Sequence, residues 1–251
     1  MEQLHNFISE TKIIMRFFFF IISFLFISPI WAEPSIPHTI QSFSKAKKLA
    51  AKIYADNRVT FYCSCKYDKK KKVKPRSCGL IARKNKKRSS RIEWEHVVPA
   101  HAFGNIRQCW REKICTKKNG KTYKGRRCCS KTDKVFKAME ADLHNLVPAV
   151  GELNGDRSNR SFSMVTGEPR VYGKCDFEID YDTDKVEPMP SVRGDIARTY
   201  FYFEKQYGLR ISKKQRRLFD VWNRADPVDE WEMERNRRII KIQGNGNPFV
   251  E

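Results

Sequence analysis

Between residues 42 and 56 the apolar positions Phe43, Ala46, Leu49, Ala50 and Ile53 recur at helical spacing with lysines between them, which predicts an amphipathic helix. The following stretch, RVTFYCSC at 58–65, is β-branched and aromatic and predicts a short strand. Residues 69–76, KKKKVKPR, read as a basic loop. A second strand is expected over 91–98, running up to Pro99, with a turn or short helix at 101–104. The segment NGKTYKGRR at 119–127 is polar and punctuated by glycine, so it should form a surface loop or small hairpin. Val135, Phe136, Met139, Leu143 and Leu146 share a face of a helix over 133–146, and Pro148 should end that helix by Val147. A turn-rich stretch follows at 151–160, in which 152–154 could be helical. A long periodic run covers 191–207 and a further helix 213–223; 230–237 should continue it in broken form, and 239–242 should supply a late strand.

No repeat is visible, and no Pro- or Gly-rich linker divides the chain after its first residues. The pattern predicts one mixed α+β domain over 33–251. Residues 1–32 read differently. Arg16 is followed by FFFFIISFLFISPIWA, a basic start, a short apolar core and a small residue at Ala32, which is the form of a secretory signal. The apolar core is short for a membrane span, which needs about 20 residues, so no stable membrane insertion is expected after cleavage near Ala32. Because the signal pattern begins at Met15, residues 1–14 read as an upstream extension.

All eight cysteines lie beyond residue 32. Export and an even cysteine count both point to disulfides. Cys63 and Cys65 flank one serine and Cys128 adjoins Cys129, so each should reach a distant partner rather than its neighbour. Two well-spaced CxxC knuckles are lacking, which argues against structural zinc.

The chain carries 50 Lys and Arg against 29 Asp and Glu, a formal net charge of +21. Such a charge is a statement about partners rather than fold, and a polyanion is the simplest one. It also suits a secreted, noncatalytic cationic protein that merely binds nucleic acid. Two stretches separate these readings. RIEWEHVVPAHAFG at 91–104 sets Glu95 beside His96, and MEADLHNLVPAVGELNGDRSN at 139–159 carries Glu140 and Asn154. Phosphodiester hydrolysis needs a base for water and stabilisation of charge on the phosphoryl and leaving oxygens. Histidine suits the first task, and a divalent ion held by hard oxygens suits the second. Beyond residue 32 there are four histidines: His38 lies near the new terminus, His96 and His101 are in the first motif, and His144 should be structural. Glu95 and His96 would face opposite ways on an ideal strand, so they can share a site only where the strand bends or ends. Glu140 shares a helical face with His144 and is a candidate near a metal, whereas Asn154 could be a neutral ligand or a turn residue. Asp156 and Arg157 could be partners of each other.

The two motifs, together with RGDIARTYFYFEKQYG, DEWE and KIQGNGNPFV, resemble the bacterial endonuclease I family of periplasmic and secreted nonspecific nucleases over roughly 50–250. The resemblance implies a mixed α/β fold containing the ββα-metal (His-Me finger) motif. It implies that His96 is the general base, that Glu95 and Asn154 bind a single Mg²⁺ (a site that Mn²⁺ or Ca²⁺ could also occupy), and that Glu140 is a further acidic residue beside it. It also implies an arginine at the transition-state phosphate, for which Arg111 is the best match, although the segment WREKIC is shorter than its counterpart in relatives. The expected activity is cleavage of DNA and RNA to 5′-phosphate ends by a monomer in the periplasm or outside the cell. Two departures stand out. Met233 replaces a common cysteine, and NGKTYKGRRCC looks like an insertion; either an added cysteine takes over the lost one's partner or the local disulfides differ. Nothing resembles a base-reading helix, so contacts should go to phosphates. The expected contacts are Arg83, Lys84, Lys86, Lys87 and Arg88 of the basic run before Glu95, with Lys124, Arg126 and Arg127 of the insertion. A zinc-dependent nuclease fits the few histidines and the oxygen pair less well.

Overall fold

Helix α1 (Phe43–Ile53) forms where the lysine-spaced apolar stripe predicts it, with Ala46, Ala50 and Ile53 buried and the Ser42 side chain accepting from the Lys45 amide at its start. The computed structural model describes residues 36, 39, 40, 42–167 and 170–251. The predicted signal segment and His38 lie outside them. The described residues belong to one unit, Pro34–Glu251.

After α1 the chain does not form the expected strand at 58–65. Only an isolated bridge, Val59 to Lys66, survives there. The Ser64 amide bonds back to the Thr60 carbonyl and Ser64 takes a positive φ, so the chain reverses within a few residues. Two disulfides, Cys63–Cys175 and Cys65–Cys78, fix that reversal from both sides. Cross-linking thus overrides the β-propensity of the segment.

The short helix α2 (Lys86–Ser89) leads into strand β1 (Ile92–His96), followed by helices α3 (Ala100–Gly104) and α4 (Gln108–Arg111). A small hairpin of β2 (Cys115–Thr116) and β3 (Thr122–Tyr123) occupies the insertion, as its turn residues suggest. Helices α5 (Arg126–Thr132) and α6 (Lys134–Ala141) come next. The latter is capped by Asp133, which accepts from the Phe136 amide and also holds Arg107 through two bonds of 2.6 and 3.0 Å.

Helix α6 ends earlier than its periodicity suggests. Asp142 turns into extended backbone (φ −70°, ψ 121°), and its buried carboxylate accepts from the His144 amide and from the hydroxyls of Tyr202 and Tyr207. The apolar run LVPAV then becomes strand β4 (Leu146–Val150), antiparallel to β1 with Glu95 opposite Val147 and His96 opposite Leu146. Pro148 is tolerated because this ladder has only two strands. Helix α7 (Gly151–Arg157) follows without a break, extending the helical reading of 152–154 across the stretch read as turns.

A three-stranded sheet that the sequence pattern did not reveal is built from β5 (Ser161–Phe162), β6 (Phe177–Asp180) and β7 (Lys185–Pro188), in the order β5–β7–β6. Three helices close the chain: α8 (Arg193–Tyr207), α9 (Lys213–Ala225) and α10 (Glu230–Gln243). The last is unbroken, so the expected late strand at 239–242 is helix. Asp229 and Glu232 form a capping box at its start, and nothing interrupts the pattern until Gly244, which ends the helix at φ 95°. Glu232 also receives the guanidinium of buried Arg198 from α8. The result is the mixed α+β architecture expected, with one core around β1, β4 and α1 and another around α3 to α6 and the end of α8. All eight cysteines are paired; Cys109–Cys129 and Cys115–Cys128 join the adjacent cysteines to different, distant partners. Met233 is exposed and has no part in this framework.

Candidate active site

Strand β1 ends at His96; the Val97 amide makes one more in-register bond, to the Asn145 carbonyl, and the chain then turns towards Pro99. That ending lets both Glu95 and His96 reach one cleft, although neighbours on a strand face apart. The cleft measures about 970 Å³ and is bordered by β1, the start of α1, α3, Arg126 and the end of α7.

His96 is buried, and its Nε2 lies 2.8 Å from the backbone carbonyl oxygen of Glu140. A carbonyl can only accept, so Nε2 carries the proton and Nδ1 is left with its lone pair. The ring packs 4.9 Å from Phe43. Burial, and then the positive charge of Arg126, push the imidazole down to about 3, so the ring is neutral at any working pH.

Glu95 is buried on the other side of the strand end. Its Oε1 accepts from the Tyr62 hydroxyl at 3.1 Å and from Arg157 Nη1 at 3.0 Å. Burial pushes its carboxyl up to about 7, opposed by the Arg157 guanidinium. Arg157 itself is fully buried and also donates to the carbonyls of His96 and Val97, which clamps α7 onto the end of β1. It is therefore not the partner of Asp156, which instead binds Arg83 and the Tyr172 hydroxyl. Asn154, one turn before Arg157 on α7, lines the cleft and donates its amide nitrogen to Glu93 at 3.2 Å. Neither Tyr62 nor Arg157 carried a signal for this role in the sequence.

The oxygens of Glu95 and Asn154 are hard donors of the kind a divalent ion takes when it keeps most of its water. Oε2 of Glu95 and Oδ1 of Asn154 have no protein partner among the described hydrogen bonds, so both remain available. Among the described residues no three His, Cys, Asp or Glu side chains converge as a metal cage. The donor set fits a water-rich Mg²⁺ and does not fit a zinc cage.

The other expected residues scatter. Glu140 reaches His96 through its backbone, while its carboxylate accepts from Arg126 Nε at 2.6 Å and Ser130 Oγ at 2.8 Å. Arg111 is exposed on α4 and does not line the cleft. Arg126 does, stacking its guanidinium 5.2 Å from the Phe43 ring centre. Within the basic run, Arg83 pairs with Asp156 and Arg88 with Glu93, while Lys84, Lys86 and Lys87 are exposed outside the cleft. Lys124 donates to the Arg111 carbonyl, and Arg127 is exposed beside Tyr123. Besides Arg126 and the buried Arg157, the cleft's cations are Lys47 and Lys48 of α1 and Lys71. His101 lines the cleft edge against Trp110, whereas His144 is structural, bonding the Asn245 carbonyl.

A family model described as endonuclease I matches residues 38–251. The chain is 47% identical over 224 residues to an extracellular deoxyribonuclease of Aeromonas hydrophila, covering 88% of this chain and 92% of that one. It is 48% identical over 215 residues to a periplasmic deoxyribonuclease of the same organism, covering 84% and 86%. An Endonuclease-1 of Buchnera aphidicola subsp. Acyrthosiphon pisum (strain APS) is 46% identical over 215 residues, covering 84% and 81%.

Proposed function

The chain belongs to the endonuclease I family, and on that footing we propose that it is an exported, metal-dependent endonuclease that hydrolyses DNA and RNA with little regard to sequence. The single observation that carries the mechanism is the pairing of His96 Nε2 with the Glu140 carbonyl, which leaves Nδ1 as a base at the mouth of a cationic cleft. Strand β1, strand β4 and helix α7 supply the ββα frame, with the base on the first strand and Asn154 on the helix.

His96 Nδ1 takes a proton from water as the water oxygen bonds to phosphorus; the bond from phosphorus to the 3′-oxygen breaks, and that oxygen takes a proton from solvent to leave as a hydroxyl. The product then carries its phosphate on the 5′ end. Glu95 and Asn154 would hold the Mg²⁺, which when bound neutralises charge on the phosphoryl and leaving oxygens. Arg157 and Tyr62 fix the Glu95 carboxylate, so its free oxygen is held at the cleft. Arg126 stands in the cleft where Arg111 does not, and it takes the phosphate-stabilising role. Lys47, Lys48 and Lys71 bind flanking phosphates, which carry no base identity.

The names of the relatives place them outside the cytoplasm. The same location for this chain agrees with its paired cysteines and with a signal over 1–32. No helix among the described residues is long and apolar enough to cross a membrane. The mature monomer, 33–251, is the working form.

The test is plasmid cleavage by oxidised mature protein with Mg²⁺, with EDTA, and by folded His96→Ala with Mg²⁺. Cleavage by the wild type with metal alone is expected. Equal cleavage by a clean His96→Ala preparation would remove His96 from the chemistry. Nucleic-acid binding without cleavage under several divalent ions would make this a noncatalytic binding protein.

A further inference from the structure

The β2–β3 hairpin and α5 enclose a cup of about 460 Å³ on the face of α5 away from the catalytic cleft. Its lining includes Lys117 and Lys118 from the hairpin and Arg127 and Lys131 from α5, with no carboxylate. Two of the four lie over the Tyr123 ring. Lys131 Nζ is 5.6 Å from the centre of Tyr123, and the Arg127 guanidinium carbon is 6.0 Å away. The buried Tyr123 hydroxyl has no hydrogen-bond partner. Among the described ion pairs, none involves these four cations.

Four like charges lining one cup raise the local positive potential, which a phosphate entering it would lower. The hairpin does not hold them there by chance of a loose loop. Cys115 at its base is tied to Cys128 of α5, and the neighbouring Cys129 is tied to Cys109 of α4. The cup is therefore a stapled structure. Its relation to the cleft decides which anion fits. Arg126 and Arg127 are consecutive on α5, and consecutive helical side chains diverge by about 100°. One faces the cleft and the other faces the cup. A helix is about 10 Å across, a distance that roughly three nucleotides of one strand span along a duplex.

We infer that the cup formed by Lys117, Lys118, Arg127 and Lys131 around Tyr123 is an accessory backbone site, binding phosphates of the same nucleic acid about three nucleotides from the bond being cut. The inference rests on the nuclease reading for the position of that bond. It makes the insertion a device for gripping long substrates, with no part in the chemical step. A nucleic acid is favoured over an anionic membrane because a chain of phosphates can leave the cleft past Arg126 and reach Arg127 on the same helix turn.

The test compares wild type with Lys117→Gln/Lys118→Gln/Lys131→Gln, and with the Arg triple at the same positions as a charge-preserving control. All three lysines are exposed, so folding should be unchanged. Binding of a fluorescent 20-base-pair duplex is followed in EDTA as salt is varied. Hydrolysis of thymidine 5′-p-nitrophenyl phosphate, too small to reach the cup, is followed with Mg²⁺. The Gln triple should bind the duplex on the order of tenfold more weakly and lose about 2 to 3 from the logarithmic salt slope, since each phosphate contact contributes about 0.9. Its turnover of the small ester should match wild type, and the Arg triple should bind the duplex as wild type does. Unchanged duplex affinity and slope in the Gln triple would overturn the inference. So would a loss confined to binding of phosphatidylglycerol vesicles, which would make the cup a membrane contact. If wild type with Mg²⁺ cuts neither the duplex nor the small ester, the nuclease reading fails; the EDTA binding data still decide whether the cup holds nucleic acid.

Discussion

His96 donates its Nε2 proton to the backbone carbonyl of Glu140 across 2.8 Å, so a main-chain atom at the end of α6 sets the tautomer of the proposed base. A carbonyl cannot be removed by mutating the side chain that bears it. His96→Ala should therefore lower kcat by about 10²–10⁴-fold, the usual contribution of a positioned base. Glu140→Gln keeps the carbonyl and should lower kcat far less. Single-turnover cleavage of a defined duplex measures both. Equal losses would mean that the Glu140 carboxylate takes part in the chemistry directly, as the family resemblance alone would suggest.

The carboxylate of Glu140 has a different task, because it receives Arg126 at 2.6 Å and Ser130 at 2.8 Å. That holds the guanidinium in the cleft while Arg111 stays outside on α4. Arg126→Ala should cost about 10²–10³-fold in kcat, in the range of a lost donor to a developing charge. Arg111→Ala should leave kcat within about threefold and act on affinity alone, through one phosphate contact at most. Steady-state kinetics on a defined duplex, separating kcat from KM, distinguishes the two arginines. A larger kcat loss at Arg111 would restore it to the role its sequence position suggested.

The parts of this site that were legible in the sequence are those encoded locally. The stripe of α1 and the strand IEWEH can be read because each pattern is complete within its own element. Glu95, His96 and Asn154 stand in two motifs of the sequence, and the fold lines one cleft with all three. Strand β4 was not readable. LVPAV continues the apolar phase of α6, and only its ladder with β1, across the intervening residues 97–145, makes it a strand. The same reason hid Arg157, whose partner Glu95 is 62 positions away, while a nearer carboxylate at Asp156 looked sufficient. Arg126 was recognised only as a surface cation, since its place in the cleft depends on two disulfides that no spacing rule assigns.

Those disulfides should separate in their effects. Cys63–Cys175 closes a loop with a sequence separation of 112 and ties the reversal at 60–65 to the far sheet. Replacing both cysteines with serine should cost about 5 kcal/mol of stability by loop-closure entropy, read as a lower urea midpoint. Cys115–Cys128, with a separation of 13, closes a much shorter loop. Its removal should cost about 3 kcal/mol or less and should weaken duplex binding disproportionately, because it frees the hairpin beside Arg126 and Arg127. Equal loss of duplex affinity in both folded variants would show that neither bond acts locally.

A pH dependence of stability should arise away from the site, in the three-stranded sheet. Glu178 of β6 lies directly opposite Glu187 of β7. Burial, with the nearby charge of Asp176, pushes its carboxyl up to about 7, against the opposing charge of Arg170. Glu187 accepts from Arg193 Nη2 and from the Val165 amide, and across the ladder it adds to what raises the Glu178 carboxyl. The unfolded chain releases the Glu178 proton near 4.5 and the folded chain near 7. Between those values the folded state binds more protons, so stability falls as pH rises and the loss is complete above about 7. Glu178→Gln removes the charge while keeping the side-chain shape. It should raise the melting temperature above pH 7 and leave it close to wild type below pH 5, as measured by thermal unfolding across that range. A benefit that is the same at every pH would mean that packing, rather than the buried charge, limits this sheet.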